Sequence, residues 1–391
     1  MNEGVTYLYV NFFTMGAKMK NSSTRAVFDR DNFQKLFDAL KDMGYQTYGP
    51  TVRDNAIVYD TIDSVDALPQ AMIDRQDNGQ YRLVRNKRKA LFDHVVGMHS
   101  WKKIFHVPDD VLYRIEKKPS DVEINPVEAV ESKKALIGVR SCDLSALAIQ
   151  DQILMDGPYP DPSYTARRRN TFIVAVNCGR PGGTCFCASM GTGPRATTGF
   201  DIALTELIKG DSHCFLVECG SVAGEELLKA IPHRTAETAD IEQADAVMEK
   251  AAGKMGRKLN TDNLRENLMA RFDSPYWSEI AQRCASCGNC TMVCPTCFCM
   301  NVEDDTDLSG QHIERRRKWD SCYTIGFSYI HGGSIRNSAM ARYRQWLLHK
   351  MVYWPEQFGT FGCVGCGRCI TWCPMGIDIT EEATKLVETP V

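Results

Sequence analysis

The chain has 391 residues, with 46 Lys and Arg against 49 Asp and Glu and a formal net charge of −3. This length allows two or three domains, and the small charge excludes the overall electrostatic footprint of a nucleic-acid-binding protein. No apolar run reaches the ~20 residues of a membrane-spanning helix, and the first residues lack a signal-peptide pattern. We therefore expect a cytoplasmic protein without direct membrane insertion.

Hydrophobic periodicity predicts an α/β arrangement in the N-terminal part of the chain. The predicted elements, in chain order, are a helix over 31–44, extended segments at 56–59 and 80–83, a strand at 135–139, a helix at 143–154, a strand at 171–176, a helix at 202–209 and a strand at 215–217. The middle three form a βαβ unit. The pattern therefore predicts a partly parallel sheet covered by helices.

A polar segment over 238–259 predicts a surface helix or connecting arm, and we place a domain boundary near Met255. The resulting domains are 1–255 and 256–391. The second domain is expected to be of the all-α, two-cluster ferredoxin-like type, because the long segment between its cysteine motifs has helical periodicity, especially over 334–353.

Two cysteine runs in the last third of the chain share the spacing Cys-x2-Cys-x2-Cys-x3-Cys-Pro. They are Cys284, Cys287, Cys290 and Cys294, and Cys363, Cys366, Cys369 and Cys373. This spacing is typical of cysteines that bind 4Fe-4S clusters, with the last cysteine of each run bound to the other cluster. The expected sets are Cys284, Cys287, Cys290 and Cys373 for cluster one, and Cys363, Cys366, Cys369 and Cys294 for cluster two. A zinc site or a disulfide framework fits the repeated pattern less well.

A second group of cysteines lies in the predicted α/β domain and consists of Cys142, Cys178, Cys185 and Cys187. Cys142 and Cys178 each follow a predicted strand, so both should emerge at the carboxyl edge of the sheet, where such folds build their sites. The loop containing Gly182 and Gly183 would return the other two cysteines to that edge, and its glycines permit close backbone approach or positive φ. We predict a third 4Fe-4S cluster here, with zinc or buried structural cysteines as alternatives.

Other signals are weaker. Cys297, Cys299 and Cys322 are expected to pack beside the clusters, although Cys322 is also a candidate extra ligand. The 191–196 segment fits G-x-G-x-x-A but does not directly follow a strand, so we expect a turn over the third cluster rather than a nucleotide site. The basic runs at 167–169 and 315–318 are interpreted as solvated surface, with no nucleic-acid partner. No motif for a catalytic residue is present.

Several segments together resemble the sulfhydrogenase beta subunit family, which includes the A subunit of anaerobic sulfite reductase. They are Arg140 to Leu144, Thr184 to Cys187 with Ser189 to Pro194, Cys294 to Cys299, Trp319 to Cys322 and the final motif from Cys363 to Cys373. Weaker similarity extends over most of the chain.

The resemblance implies an electron-transfer subunit of a cytoplasmic oxidoreductase complex, without a catalytic site of its own. It would pass electrons between a flavin subunit that handles NAD(P)H and a catalytic subunit, which carries nickel-iron in the hydrogenases and siroheme in the sulfite reductases. We favour the nickel-iron hydrogenase, with the sulfite reductase as the alternative. A second alternative is an iron-sulfur enzyme with its own substrate site in the N-terminal domain.

Overall fold

The computed structural model describes residues 24–95, 97–127 and 132–389. The strands of these ranges are β1 (Arg25–Asp29), β2 (Gln46–Arg53), β3 (Ala56–Thr61), β4 (Met72–Asp77), β5 (Gln80–Arg85), β6 (Asp109–Lys118), β7 (Asp121–Pro126), β8 (Lys134–Val139), β9 (Thr171–Val176), β10 (Ile202–Lys209), β11 (Ser212–Cys219), β12 (Arg234–Thr235), β13 (Met300–Thr306), β14 (His312–Trp319), β15 (Tyr329–Ile330) and β16 (Gly333–Ser334).

The helices of the same ranges are α1 (Phe33–Asp42), α2 (Lys102–Phe105), α3 (Ser141–Leu154), α4 (Pro162–Arg169), α5 (Val222–Lys229), α6 (Thr238–Ala252), α7 (Leu264–Met269), α8 (Tyr276–Arg283), α9 (Asn289–Met292), α10 (Ala339–Leu348), α11 (Trp354–Phe358), α12 (Arg368–Thr371) and α13 (Ile379–Glu388). A π-helical turn, His349–Tyr353, joins α10 to α11. None of the helices described is both long and apolar enough to span a membrane.

An eight-stranded mixed sheet lies in the N-terminal part of the described chain, in the order β12-β1-β11-β10-β9-β8-β2-β3. The pairs β2–β8, β8–β9 and β9–β10 are parallel, and the outer pairs are antiparallel. The predicted partly parallel sheet is therefore confirmed. Five of the six residues of β8 are buried, and so are five of β9, as expected for parallel strands covered on both faces.

Two hydrophobic cores cover the two faces of this sheet. One contains Phe33 and Leu36 of α1 together with Leu227 of α5. The other contains Leu147 of α3 and Tyr164 of α4. The βαβ unit predicted from the sequence is present, because α3 begins directly after β8 and leads back to β9 through α4.

The predicted helix over 202–209 is wrong, because these residues form β10. This strand pairs with β9 on one side and with β11 on the other, and four of its first five residues are buried. A strand buried on both faces has no period-2 alternation, so Ile202, Leu204 and Leu207 were equally compatible with a helix. Pairing within the sheet overrides the helix propensity of Ala203 and Glu206.

The prediction of an all-α second domain is also wrong. Part of the segment between the two cysteine runs forms the β13–β14 hairpin, and β14 pairs with β6 from the N-terminal part of the chain to complete a β13-β14-β6-β7 sheet. The hairpin is polar, with β13 mostly exposed and β14 mostly half-buried, so it lacks apolar alternation. Cross-strand ion pairs stabilise it instead, such as Arg315 with Asp304 at 2.8 Å. The 334–353 prediction holds from Ala339 onward, where α10 and the π-helical turn lie.

The basic run at 315–318 is neutralised within this sheet. Arg316 pairs with Asp109 at 3.0 Å, Lys318 pairs with Glu303, and the buried Arg317 pairs with Asp110 at 2.9 Å. These partners lie on β6 and β13. The run therefore supports the small second sheet through matched charges.

Candidate iron-sulfur centres

The two C-terminal cysteine runs fold in the same way. In each run the third cysteine lies on a one-turn helix, α9 or α12, and a left-handed glycine precedes that helix. Gly288 has φ 74° and Gly367 has φ 75°, a conformation that glycine adopts without steric cost. The two loops therefore have matching local backbone geometry around their third cysteine.

Four cysteines from both runs line a single cavity: Cys294, Cys363, Cys366 and Cys369. The other walls are mainly apolar and include Phe186, Trp346, Val364 and Ile379. The backbone N–H of Gly365 donates to the sulfur of Cys363 at 3.5 Å. This cavity holds the set expected for cluster two, and its four thiols and apolar walls fit a buried cubane.

The set expected for cluster one also comes together. Cys284, Cys290 and Cys373 pack against the core of the C-terminal helices, and Cys287 is the exposed member. Burial raises the pKa of Cys290, and the neighbouring Cys284, Cys373 and Cys287 thiols raise it further. Backbone N–H groups donate at 3.4 Å to the sulfurs of Cys284 and Cys373. The last cysteine of each run therefore lies with the other run.

The third group of cysteines meets at the carboxyl ends of β8 and β9. Cys142 lies in the first turn of α3, Cys178 follows β9, and the loop after it carries Cys185 and Cys187. Burial raises the pKa of Cys187 to about 12, and the nearby Cys178 and Cys366 thiols act in the same direction. The Arg140 guanidinium donates to the sulfur of Cys178 at 3.8 Å.

Glycines allow the chain to wrap closely around this third group. A Cβ on Gly193 would lie 2.9 Å from the sulfur of Cys187, and one on Gly182 would lie 3.3 Å from that of Cys185. A Cβ on Gly183 would lie 2.0 Å from the carbonyl oxygen of Gln76. Close approach therefore explains Gly182 and Gly183, and neither has a positive φ.

The 191–196 segment forms a turn over this group, as predicted. Besides the contact of Gly193 with Cys187, the hydroxyl of Thr192 donates to the carbonyl of Val364 at 2.7 Å. The Ser141 hydroxyl donates to the carbonyl of Thr192 at 2.8 Å. The turn thus joins the start of α3 to the second cysteine run.

The third group packs directly against the cavity of the second set. Cys142, Cys187 and Cys366 belong to one buried cluster of side chains. The backbone N–H of Phe186 donates to the carbonyl of Gly365 at 2.8 Å, and a Cβ on Gly365 would lie 2.7 Å from Phe186.

An ion pair crosses the same boundary. Arg368 Nη2 lies 2.9 Å from Asp143 Oδ1, and each side chain is 1% exposed. Arg368 stands between two cysteines of the second run, and Asp143 follows Cys142. The pair links the second run to the first turn of α3.

Of the three remaining cysteines of this region, Cys297 lies beside Cys294 of the second set, and Cys322 has Cys290 of the first set among its neighbours. Cys297 hydrogen-bonds to Cys294 and lowers its pKa well below the ordinary value, although burial opposes this shift. Cys322 donates to Cys299 and lowers the pKa of Cys299 to about 7.

Among the described residues, no group of three or more His, Cys, Asp or Glu side chains is arranged to hold a single metal ion.

Two buried lysines that no sequence motif marks also adjoin these sulfurs. Lys350 lines the second-set cavity and donates to the sulfur of Cys294 at 3.5 Å. Lys102 donates to the carbonyl of Cys297 at 3.0 Å and is 3% exposed. In the sequence, the feature that could have identified Lys350 as a buried residue is its position among the apolar residues Leu347, Leu348, Met351 and Val352.

The fold and these cysteine sites define an iron-sulfur protein of the dicluster class. A family model described as "4Fe-4S dicluster domain" matches residues 283–377, and no solved structure matches the chain. The curated protein "Sulfhydrogenase 2 subunit beta" of Pyrococcus furiosus is 34% identical over 360 residues, which cover 91% of this chain and 96% of the relative. The chain therefore belongs to the sulfhydrogenase beta subunit family.

Proposed function

We propose that this chain is an electron-transfer subunit of a cytoplasmic oxidoreductase complex, with 4Fe-4S clusters on three sets of cysteines. The proposed ligands are Cys284, Cys287, Cys290 and Cys373 for cluster one, Cys363, Cys366, Cys369 and Cys294 for cluster two, and Cys142, Cys178, Cys185 and Cys187 for cluster three. One observation carries the proposal: four thiols from two separate runs line one mainly apolar cavity. Clusters bound in such sites supply one-electron transfer.

The contacts between the sets support a linear relay with cluster two in the middle. Cys366 of the second set adjoins Cys142 and Cys187 of the third set. On the other side, Cys290 of the first set is among the neighbouring groups that raise the pKa of Cys369 of the second set. The exposed Cys287 makes cluster one the outer end, where an electron would pass to or from a partner.

A third cluster is favoured over zinc by the surroundings of its four cysteines. The group lies directly against the second set, where a redox centre would extend the relay. Buried thiols with raised pKa values need a compensating positive centre to ionise, a requirement that iron and zinc would both meet, so the preference rests on the position beside the second set. Arg140 beside Cys178 would stabilise the added negative charge after reduction.

We further propose that the partners are a flavin subunit that handles NAD(P)H and the catalytic subunit of a nickel-iron hydrogenase. The relative from Pyrococcus furiosus is a sulfhydrogenase subunit by name, which favours the hydrogenase over the sulfite reductase. The division into domains at 1–255 and 256–391 belongs to the same proposal, with cluster three in the first domain and clusters one and two in the second.

The number of clusters is tested by iron and acid-labile sulfide in the anaerobically purified chain. Three cubanes predict about 12 irons per chain, whereas two predict about 8. Cys185→Ala should remove about four irons, whereas the matched control Cys214→Ala, on β11 outside all three sets, should remove none. An unchanged iron content in Cys185→Ala would refute the third cluster, and a folded chain without iron would refute the whole proposal.

The partners are tested by purifying the native complex through a tag on this chain. Nickel and flavin in stoichiometric amounts are expected in the complex. Siroheme absorption without nickel would overturn the hydrogenase assignment in favour of the sulfite reductase.

A further inference from the structure

The ammonium group of Lys350 is enclosed in protein. The residue is 5% exposed and lies in the π-helical turn between α10 and α11, where Met351 and Val352 are also buried. Its Nζ donates to the hydroxyl of Thr296 at 3.0 Å, to the carbonyl of Gly362 at 3.4 Å and to the sulfur of Cys294 at 3.5 Å. All three acceptors belong to the loops that carry the second set of cysteines.

No carboxylate balances this charge among the described residues, since none of their ion pairs includes Lys350. A buried charge without a partner is strongly destabilising. The nearest groups able to carry negative charge are the sulfurs, and Cys294, Cys297 and Cys363 are its main electrostatic partners. The charge of Lys350 is therefore compensated by the cysteines around it and by the cluster that we propose they bind.

The position of the lysine is also fixed through its backbone. The N–H of Gly362 donates to the carbonyl of Lys350 at 2.8 Å, while Nζ reaches back to the carbonyl of Gly362. A Cβ on Gly362 would lie 3.3 Å from the Lys350 Cα, so the two segments are in close contact next to Cys363. Because Lys350 is fixed through both its backbone and its ammonium group, its charge does not have to move when the cluster takes up an electron.

We infer that Lys350 is a positioning residue that raises the reduction potential of cluster two through its N–H···S hydrogen bond and its buried positive charge. The inference rests on the proposed function. A cubane with four cysteinates becomes more negative when it takes up an electron. A fixed cation beside it therefore stabilises the reduced state more than the oxidised state, and the effect is large where water is excluded.

The first set provides an internal contrast. Its sulfurs accept from the backbone N–H groups of Ser286 and Ile377. In the described part of the chain, no lysine or arginine side chain donates to any of its four sulfurs. The action of Lys350 should therefore be confined to the middle cluster of the relay.

The test is a redox titration of the purified anaerobic chain followed by electron paramagnetic resonance. The signal that disappears in Cys366→Ala identifies cluster two. Lys350→Met should lower the midpoint potential of that cluster so that the ratio of reduced to oxidised clusters at a fixed potential falls at least tenfold, about 59 mV for one electron. The other clusters should keep their midpoints, and iron content should match that of the unmodified chain.

Three variants complete the design. Lys350→Gln removes the charge but keeps a polar head for Thr296, so it should shift the same cluster in the same direction. Lys350→Arg keeps the charge and should shift the midpoint less than Lys350→Met does. Lys103→Met is the matched control, because the Lys103 ammonium contacts the carbonyl of Tyr59 and the ring of His99. It should leave every midpoint unchanged.

Full iron content with an unchanged cluster-two midpoint in Lys350→Met and Lys350→Gln would overturn the inference. An equal shift of all clusters would do the same, since it would indicate a global structural effect. Loss of the cluster-two iron in both variants would also overturn it, because the lysine would then act in assembly. A chain that lacks iron before any substitution would instead refute the proposed function.

Discussion

Replacing Arg368 by Met should destabilise the junction between the second and third cysteine sets. The substitution removes the cation 2.9 Å from Asp143 and leaves that carboxylate at 1% exposure, with the Tyr59 hydroxyl at 3.5 Å as its remaining side-chain donor in the described structure. It also removes the bonds from Nε to the carbonyls of Gly97 and His99, at 3.3 and 3.2 Å. Breaking a buried pair on one side costs about 3–5 kcal/mol.

At about 2–4 °C per kcal/mol for a domain of about 150–250 residues, this cost corresponds to a fall of about 6–20 °C in Tm. The assay is thermal unfolding of the anaerobic, cluster-loaded chain, followed by circular dichroism and by visible absorbance. Arg342→Met is the matched control, because Arg342 is 7% exposed and its guanidinium donates to the carbonyl of Arg336 at 3.5 Å without an ion pair in the described structure.

The double variant Arg368→Met with Asp143→Asn separates charge from packing. It removes the stranded carboxylate, so it should melt at a higher temperature than Arg368→Met alone although it carries one more substitution. A Tm of the double variant no higher than that of Arg368→Met would contradict this role of the ion pair, and so would equal Tm values for Arg368→Met and Arg342→Met.

Three further outcomes follow from the structure. Gly365→Ala would force a Cβ to within 2.7 Å of Phe186 at a φ of 63°, so it should remove at least about four irons per chain, whereas Gly326→Ala, with open space around it, should retain them all. Cys287→Ala should remove about four irons and leave the potentials of the other two clusters in place, and retention of all three signals would contradict the ligand assignment. Burial lowers the pKa of His106 to about 3, below its ordinary value of 6.5, so the neutral ring stabilises the fold above pH 6.5 and this contribution is lost as the pH falls towards 3. Between pH 7 and pH 5 the Tm should therefore fall less in His106→Phe than in the unmodified chain. The difference corresponds to a change in the free energy of unfolding of up to about 1.4 kcal/mol per pH unit, and parallel profiles of Tm against pH would contradict this.

The sequence predicted the elements whose residues follow a simple period. The buried runs at 135–139 and 171–176 lie within β8 and β9, and the helix expected at 143–154 corresponds to α3. Cysteine spacing also predicted which thiols meet, because the residue that closes each group, Cys294 or Cys373, follows from the known crossover of such motifs. Strand ends in a βαβ unit brought Cys142 and Cys178 together for the same topological reason.

Tertiary pairing decided the features that the sequence did not predict. The sequence of β10 is compatible with a helix as long as its pairing with β9 and β11 is unknown. The sequence of β13 is too polar to be recognised as a strand without its partner β14. The charges beside the cysteines were likewise hidden. Lys350 and Arg368 contact residues 56 and 225 positions away, respectively, so no local pattern connects them with Cys294 or Asp143.

The small second sheet limits how this chain can be taken apart. Its third strand, β6, precedes the βαβ unit, whereas β13 and β14 interrupt the segment between the two cysteine runs. A fragment cut to contain only the C-terminal motifs would leave the backbone of β14 from His312 to Lys318 without its partner on β6. The dicluster region is therefore not a self-contained fragment, and transferring it into another protein requires a strand that replaces β6 as the partner of β14.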